Sequence, residues 1–185
     1  SSTHDPEEEI CAKTHLDIKK KISNILTVII PRHIDRVKEI KKKLLNLNLK
    51  IVLSSELDQV DNKTDIILVD SYGETIKFLN ISKNVYVGKS LVRSLAMDSG
   101  QNPIEPARLG CKILHGPNVS NFVEVYDYLK TLGITKEVKS SDDLYVSLVE
   151  LLKEDKPINS ENIKKIEDYS QNIFNNVIIE LKKYI

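Results

Sequence analysis

Short apolar runs alternate with helical patterns along most of the chain. The runs consist mainly of Val, Ile and Leu, which is typical of strands buried on both faces of a parallel sheet. The helical patterns between them carry apolar residues three or four positions apart. The alternation predicts an α/β protein, with a Rossmann-like open parallel sheet and helices on both faces. The apolar runs are 24–30, 50–53, 66–69, 85–87 and 112–114, and the helical patterns are 34–47, 73–79, 103–109 and 122–132.

The carboxy-terminal part of the chain continues this pattern. Residues 134–138 predict one more strand at an edge of the sheet, and residues 142–153 and 160–184 predict two helices. Pro157 separates these helices because proline does not continue a helix. Neither an internal repeat nor a shift in composition marks a boundary, so we expect residues 1–185 to form a single domain.

Composition narrows the possible functions. The 27 Lys and Arg residues balance the 27 Asp and Glu residues, which argues against a dedicated nucleic-acid-binding protein. Cys11 and Cys111 lie far apart and lack the spacing of a zinc module, so we expect neither a disulfide scaffold nor a metal site from them. No apolar run approaches the roughly 20 residues that cross a bilayer. The polar opening segment has no signal-peptide pattern, and without an initial Met we expect a piece of a longer protein.

Arg32 stands where open α/β sheets bind their ligands, directly after the first apolar run. A guanidinium in this position can hold a phosphate through paired hydrogen bonds. The ordinary alternative is a surface ion pair with a carboxylate. The neighbouring His33 either begins a helix or touches a ligand.

Residues 100–107 carry the densest signal for a ligand site. Asn102 can cap a helix, Pro103 suits the first helical position and Glu105 can complete a capping box. A helix N-terminus after the flexible Gly100 offers free backbone N–H groups and a helix dipole to a phosphate. The same residues also describe a well-capped helix that binds nothing, and the local pattern alone slightly favours that interpretation.

Residues 70–74 directly follow the predicted strand at 66–69 and form another candidate ligand-binding segment. Gly73 permits close approach of the backbone to a ligand, and Tyr72 can stack on a nucleotide base. Asp70 or Ser71 can instead serve simply as a helix N-cap.

The acidic run at residues 7–9 has the charge that stabilises the first turn of a helix. A metal site or a general base is the less favoured interpretation of this run. The sequence contains no Ser-His-Asp, Cys-His or HExxH arrangement, no Walker A loop and no dinucleotide-binding loop. No complete catalytic centre can therefore be identified from local motifs.

Several segments nevertheless occur in a specific order. They are Thr3-His4 with Glu7-Glu8-Glu9, Pro31-Arg32-His33, residues 67–74, residues 87–91, residues 100–107, and Gly116-Pro117-Asn118 with Asn121-Phe122. The Asn-Pro-Ile-Glu-Pro-Ala block together with Pro-Arg-His is the most specific part. Over residues 1–135 the chain resembles the carboxy-terminal half of the 3-deoxy-D-manno-octulosonic acid (Kdo) transferase family.

The resemblance implies a GT-B glycosyltransferase of two domains. The carboxy-terminal domain, residues 1–185 here, would bind the donor CMP-Kdo. The amino-terminal domain would bind the lipid A precursor at the cytoplasmic face of the inner membrane of a Gram-negative bacterium. Kdo would pass to an acceptor hydroxyl with inversion as CMP leaves, in lipopolysaccharide biosynthesis, with no cofactor or metal required. Residues 160–185 would form a terminal helix, which packs either on this domain or against the amino-terminal domain.

The match of motifs also implies which residues contact CMP. Arg32 and the helix start at Asn102 would stabilise the charge on the departing phosphate, and Glu105 would accept hydrogen bonds from the ribose. The family's general base lies in the amino-terminal domain, so we expect no catalytic residue here and a chain that binds donor without transferring Kdo. The implied contacts are Pro31, Arg32, Ser71, Tyr72, Gly73, Asn102, Pro103, Ile104 and Glu105.

Two other classes of function stay open at this point. The first is another GT-B-like nucleotide-sugar enzyme, a UDP-sugar transferase or an epimerase, which would prefer a uridine nucleotide. The second is a non-catalytic α/β binding module with no affinity for nucleotides. A flavodoxin-like redox domain fits less well, because the chain has no Trp and few aromatic residues to enclose a flavin.

Overall fold

Strands and helices alternate through the computed structural model, which describes residues 1–92, 100–154 and 156–184. Ile185, the end of the predicted terminal helix, lies outside the described residues. The strands are β1 (Thr27–Ile29), β2 (Ile51–Leu53), β3 (Ile66–Leu68), β4 (Asn84–Val87), β5 (Lys112–His115) and β6 (Thr135–Glu137). The helices are α1 (Glu7–Lys19), α2 (Val37–Leu45), α3 (Thr75–Leu79), α4 (Ile104–Arg108), α5 (Val123–Thr131), α6 (Ser141–Glu154) and α7 (Ser160–Leu181).

The paired strands of the described chain are all parallel. β3 lies between β1 and β2, and β5 lies between β4 and β6. Residues 1–3 join the two three-stranded sheets. Thr3 forms a parallel bridge to Pro31 just after β1, and the Ser1 carbonyl accepts a hydrogen bond from the Gly88 N–H just after β4 at 2.9 Å. All carboxyl ends therefore lie along one edge of a continuous parallel arrangement.

Successive strand residues pack against opposite layers of helices, because side chains alternate across a sheet. Leu68 of β3 packs with residues of α1 and α2, whereas its neighbour Ile67 packs with Phe78 of α3. In the other sheet, Tyr86 packs toward α1 and α6, whereas Val85 packs with residues of α4, α5 and α7. Helices cover both faces, and the predicted α/β class is confirmed.

The elements begin and end close to the positions that the pattern predicts. The helical pattern 34–47 starts with a 3₁₀ turn at Ile34–Arg36 and continues as α2. Helix α1 runs for 13 residues, although only its acidic first turn stands out in the sequence. Its buried face includes Thr14 and His15, so an apolar periodicity does not reveal it.

Helix α7 packs on its own domain mainly through its first half. Ile166 is fully buried in the cluster that includes Ala107 of α4, and the rings of Tyr128 and Tyr169 stack with centroids 4.1 Å apart. Asn159 caps the helix, because its side chain accepts a hydrogen bond from the Asn162 N–H at 2.7 Å. The second half exposes a set of apolar side chains: Ile173, Phe174, Val177, Ile179 and Leu181.

No helix in the described ranges combines the length and the apolar character needed to cross a bilayer. Helix α7, with 22 residues, is the longest of them, but Lys, Glu and Asp side chains recur along it.

Candidate functional site

The fold brings the three predicted ligand-binding segments to one edge of the sheet. Residues 31–32 follow β1, residues 71–73 follow β3, and residues 102–105 lead into α4 after β4. Residues 1–3 occupy the middle of the strand order, and the chain forms one sheet on each side of them. Residues 1–3 therefore mark the point at which the order of the strands switches from one side to the other. Open α/β sheets bind their ligands at such a switch point.

Backbone hydrogen bonds hold the middle of this edge together. The Arg32 N–H donates to the Thr3 carbonyl at 3.0 Å, next to β1. The Gly100 N–H donates to the Lys89 carbonyl at 2.8 Å, next to β4. Together with the bond from Gly88 to Ser1, these contacts connect the segment around Arg32 with the chain that leads into α4.

The Arg32 side chain is exposed at this edge. Its guanidinium makes no hydrogen bond or ion pair with the described part of the chain. The surface ion pair that the sequence left open is therefore absent among these residues, and the guanidinium can receive an anion. Pro31, by contrast, is buried next to the bridge with Thr3 and fixes the backbone that carries Arg32.

Two histidine rings lie beside this segment. The centroids of His4 and His33 are 5.5 Å apart in an edge-to-face arrangement. Burial lowers the pKa of His4, although the hydrogen bond from its Nδ1 to the Ser2 carbonyl opposes the shift. His33 precedes the 3₁₀ turn at Ile34–Arg36 but does not cap it with its side chain.

Asp70 ties the end of β3 to the residues that follow β2. Its carboxylate accepts hydrogen bonds from the hydroxyls of Ser54 and Ser55 at 2.8 and 2.6 Å, and from the Ser55 N–H at 3.0 Å. Burial opposes ionisation of Asp70, but the hydrogen bonds from the two serines outweigh it and lower the pKa of Asp70. Helix α3 begins only at Thr75, so the N-cap considered for Asp70 or Ser71 is not formed.

Residues 71–73 project from the edge beyond Asp70. The Tyr72 side chain is 74% exposed, which leaves its ring open to stacking. Gly73 has a φ of +84°, a backbone conformation that favours glycine, and no atom lies within 4 Å of the position of an added Cβ. The surface around Gly73 is therefore open to a ligand.

Asn102 turns the chain into α4. Its Oδ1 accepts a hydrogen bond from the Ile104 N–H at 3.0 Å, while Pro103 is buried in front of the helix. Glu105 is exposed and, within the described residues, does not bond back to Asn102. The predicted capping box is therefore wrong, and the Glu105 carboxylate is available to a ligand.

Helix α4 is too short to attract an anion strongly. It has five residues, and the helix dipole is the sum of its aligned peptide units. The helix N-terminus predicted to hold a phosphate therefore contributes little. The exposed Arg32 side chain places a positive charge at the same edge.

A buried carboxylate positions the turn after β4. Glu7 is fully buried and accepts hydrogen bonds from the Tyr86 hydroxyl at 2.7 Å and from the Lys89 and Ser90 N–H groups at 2.7 and 3.1 Å. The Leu91 N–H also donates to it, at 3.3 Å. The first residue of α1 thus holds the loop that borders the carboxyl edge.

Glu8 is engaged in a different way. It is buried, and its carboxylate accepts a bidentate pair of hydrogen bonds from the Arg36 guanidinium, at 3.0 and 3.3 Å. Within the described ranges, no group of three or more His, Cys, Asp or Glu side chains is arranged to hold a metal ion. The contacts of Glu7 and Glu8 therefore identify both residues as structural anchors.

The role of Glu7 was not identified from the sequence. Its partner Tyr86 lies 79 residues away, and a run of acids at a helix start predicts favourable helix charge equally well. Asp70 was identified only as a candidate cap, because its serine partners follow a strand that is distant in sequence. For Asp70, the one available signal was its position at the end of a predicted strand.

No protein-family model matches the chain. Several individual proteins are nevertheless similar to it in sequence. The chain is 32% identical over 152 residues to the Kdo transferase of Haemophilus influenzae, a match that covers 82% of this chain and 35% of the relative. It is 29% identical over 184 residues to the Kdo transferase of Aquifex aeolicus, covering 100% of this chain and 48% of the relative. The chain belongs to the Kdo transferase family.

This Kdo transferase chain spans less than half the length of those relatives. It is also 30% identical over 157 residues to a bifunctional glycosyltransferase/methyltransferase of Fusobacterium nucleatum, covering 84% of this chain and 23% of the relative. Among solved structures, the carboxy-terminal CMP-Kdo-binding domain of WaaA from Acinetobacter baumannii matches with a TM-score of 0.75 and 22% identity. That match covers 92% of this chain and 86% of the solved one, and it shows that the two share the carboxy-terminal half of a GT-B fold.

Proposed function

We propose that this chain is the donor-binding domain of a Kdo transferase and that it holds CMP-Kdo at the carboxyl edge of the sheet. The observation that carries the proposal is the meeting of residues 31–32, 71–73 and 102–105 at this edge in a member of the family. The solved domain from Acinetobacter baumannii, which has the same fold, is a CMP-Kdo-binding domain.

The chemistry of the exposed side chains suits a cytidine nucleotide. Arg32 binds the phosphate and stabilises the negative charge that builds on CMP as it leaves. Glu105 accepts hydrogen bonds from the ribose hydroxyls, and Tyr72 packs against the base or ribose. The remaining members of the site shape its walls: Pro31, Ser71, Gly73, Asn102, Pro103 and Ile104.

In the whole enzyme, we propose, Kdo is transferred from CMP-Kdo to a hydroxyl of a lipid A precursor in lipopolysaccharide biosynthesis. The amino-terminal part binds this acceptor at the cytoplasmic face of the inner membrane of a Gram-negative bacterium and supplies the general base. The reaction requires no metal or cofactor. The chain by itself therefore binds the donor but does not turn it over.

Amide chemical shifts of ¹⁵N-labelled protein during titration with CMP test the site, with UMP as the competing nucleotide. We expect saturable shifts of the amides of residues 31–32, 71–73 and 102–105, and stronger shifts with CMP than with UMP. Because this chain supplies only one side of the cleft between the two domains, we expect a Kd on the order of 10 μM to 1 mM. A preference for UMP would move the donor to another nucleotide sugar. The absence of shifts with either nucleotide at several millimolar would contradict binding by this chain.

Arg32→Ala should weaken CMP binding by about 10- to 100-fold, because a charge-assisted hydrogen bond to the phosphate is lost. Arg108→Ala is the matched control, since Arg108 is an exposed arginine at the end of α4. Equal affinities of the two variants would argue against Arg32 as the phosphate ligand. Kdo transfer by the isolated chain to a lipid A precursor would contradict the absence of a general base.

We also propose that the exposed second half of α7 packs against the amino-terminal domain. Its apolar residues recur at helical spacing, and a contiguous apolar surface on a monomer marks an interaction site. Phe174→Ser with Val177→Ser should leave the stability of this chain nearly unchanged but reduce capture of a separately expressed amino-terminal domain. Equal capture by the wild type and the double variant would contradict this packing. Ile166→Ser, at a fully buried position of α7, is expected to destabilise the chain itself.

A further inference from the structure

Tyr126 of α5 extends from its helix to the chain that leads into the candidate site. Its side chain is buried, and its hydroxyl donates a hydrogen bond of 3.0 Å to the carbonyl of Gln101, which lies 25 residues earlier. Burial raises the pKa of Tyr126, so the hydroxyl is protonated at neutral pH and acts as a donor. A buried side chain from another helix therefore contacts the residue directly before Asn102.

Packing fixes the direction of the Tyr126 ring. The ring lies against His115 at the carboxyl end of β5, with centroids 4.2 Å apart and planes inclined by 45°. His115 is held in turn, because its Nδ1 lies 2.7 Å from the Gly116 carbonyl oxygen. Leu129, three residues further along α5, is fully buried on the same face of the helix. The position of the Tyr126 hydroxyl is therefore set by the core around its ring.

Few other contacts restrain residues 101–102. On one side, Gly100 lies so close to Val119 that an added Cβ would be 2.9 Å from the Val119 Cα. On the other side, Pro103 is buried. Between these two points, within the ranges that the structure describes, the hydrogen bond from Tyr126 is the one that joins the chain to another element. It therefore determines the path on which the chain enters α4.

We infer that Tyr126 is a positioning residue of the donor site, which holds the backbone at Gln101 so that Asn102 and Glu105 face the bound nucleotide. The inference rests on the proposed function, since residues 102–105 are the proposed contacts of CMP. Without this hydrogen bond, the segment would occupy several arrangements in the free chain, and binding would have to order it. The affinity for nucleotide therefore depends on a buried residue of a different helix.

Two tyrosines of the same helix allow a matched test. Tyr126→Phe removes the hydroxyl and keeps the ring, and Tyr128→Phe is the control. The Tyr128 hydroxyl also donates to a backbone carbonyl, that of Lys165 in α7, at 3.1 Å. Each variant loses one neutral hydrogen bond, so we expect a small decrease in the urea midpoint of both. Nucleotide binding should distinguish them.

Titration with CMP measures that difference. Tyr126→Phe should raise the Kd about three- to tenfold, the effect of one lost hydrogen bond, whereas Tyr128→Phe should stay within about twofold of the wild type. At saturation, the amide shifts of residues 102–105 should be smaller in Tyr126→Phe, while those of residues 31–32 and 71–73 keep their wild-type size. A purely structural role would lower the stability without this selective change. Equal Kd values of the two variants would overturn the inference.

Hydrogen exchange without nucleotide separates this inference from the proposed function. The Ile104 amide, which donates to Oδ1 of Asn102, should exchange at least about threefold faster in Tyr126→Phe and at the wild-type rate in Tyr128→Phe. An absence of CMP-induced shifts in the wild type would contradict the proposed function, and with it the role of Tyr126 in binding. CMP-induced shifts in the wild type together with equal Ile104 exchange in the two variants would contradict only the positioning by Tyr126.

Discussion

The hydroxyl of Tyr86 donates a hydrogen bond of 2.7 Å to Oε1 of Glu7, which lies 79 residues earlier in the chain. Oε2 of the same carboxylate accepts from the Lys89 N–H at 2.7 Å. One fully buried side chain therefore joins the first turn of α1, strand β4 and the turn that borders the proposed nucleotide site. Through Glu7, the acidic run at the start of the chain shapes this edge.

Glu7→Gln should lower the free energy of unfolding by about 3 kcal/mol, because an amide cannot accept all of the hydrogen bonds that the buried carboxylate receives. Tyr86→Phe removes one donor and should cost about 1 kcal/mol. Urea denaturation measures both. Glu9→Gln is the control, since the Glu9 side chain forms a 3.9 Å ion pair with Lys13 at the surface, and the change should cost less than about 0.5 kcal/mol. An unchanged urea midpoint for Glu7→Gln would contradict the anchoring role.

Gly116→Ala should destabilise the protein by about 3 kcal/mol, because an added Cβ would collide with the backbone of Ser90 and Leu91. Gly73→Ala is the matched comparison. Its Cβ would meet no atom within 4 Å, and only its φ of +84° opposes the change, at about 1 kcal/mol. Thermal unfolding of the two variants under the same conditions measures the difference. An equal loss of thermal stability in the two variants would contradict the predicted collision at Gly116.

Acidification should destabilise the protein below about pH 6.5, the ordinary pKa of histidine. Burial lowers the pKa of His15, although its hydrogen bond with Asp65 opposes the shift. The unfolded chain therefore takes up the proton at a higher pH than the folded chain does. The stability associated with neutral His15 is complete above pH 6.5 and is lost as the pH falls.

Urea midpoints between pH 7.5 and 5.5 measure this effect, and His15→Gln should show a smaller decline over that range than the wild type. Burial also lowers the pKa of His115, so the variant should keep part of the slope. Identical slopes for variant and wild type would exclude a contribution of His15.

Cys111 should be unreactive in the folded protein. It is fully buried, its Sγ lies 3.1 Å from the Ser82 carbonyl, and burial raises the pKa of the thiol to about 11. In a Cys11→Ser background, its reaction with a disulfide reagent should be at least about 100-fold slower than in urea, since the thiolate is the reactive form. Comparable rates with and without urea would contradict the burial of this side chain.

Local sequence patterns identified only part of the candidate site. Arg32, Tyr72 and Asn102 could be singled out because each follows a predicted strand, and the parallel arrangement then places them on one edge. The capping box at Glu105 was wrong, although the residue types were suitable. Whether that carboxylate turns back to Asn102 depends on the path of the chain around it, which the spacing of residues does not specify.

The sequence by itself determined the alternation of strands and helices, the parallel class of the sheet and the edge on which ligands are expected. These follow from the periodicity of apolar residues and from Pro and Gly, which act over a few positions. Only the tertiary structure decided that Glu7 anchors the turn after β4, that Asp70 binds two serines, and that Tyr126 binds the Gln101 carbonyl. Each of these features involves segments that are distant in sequence. The side chains concerned become buried only when the whole sheet is assembled, so local patterns do not reveal them.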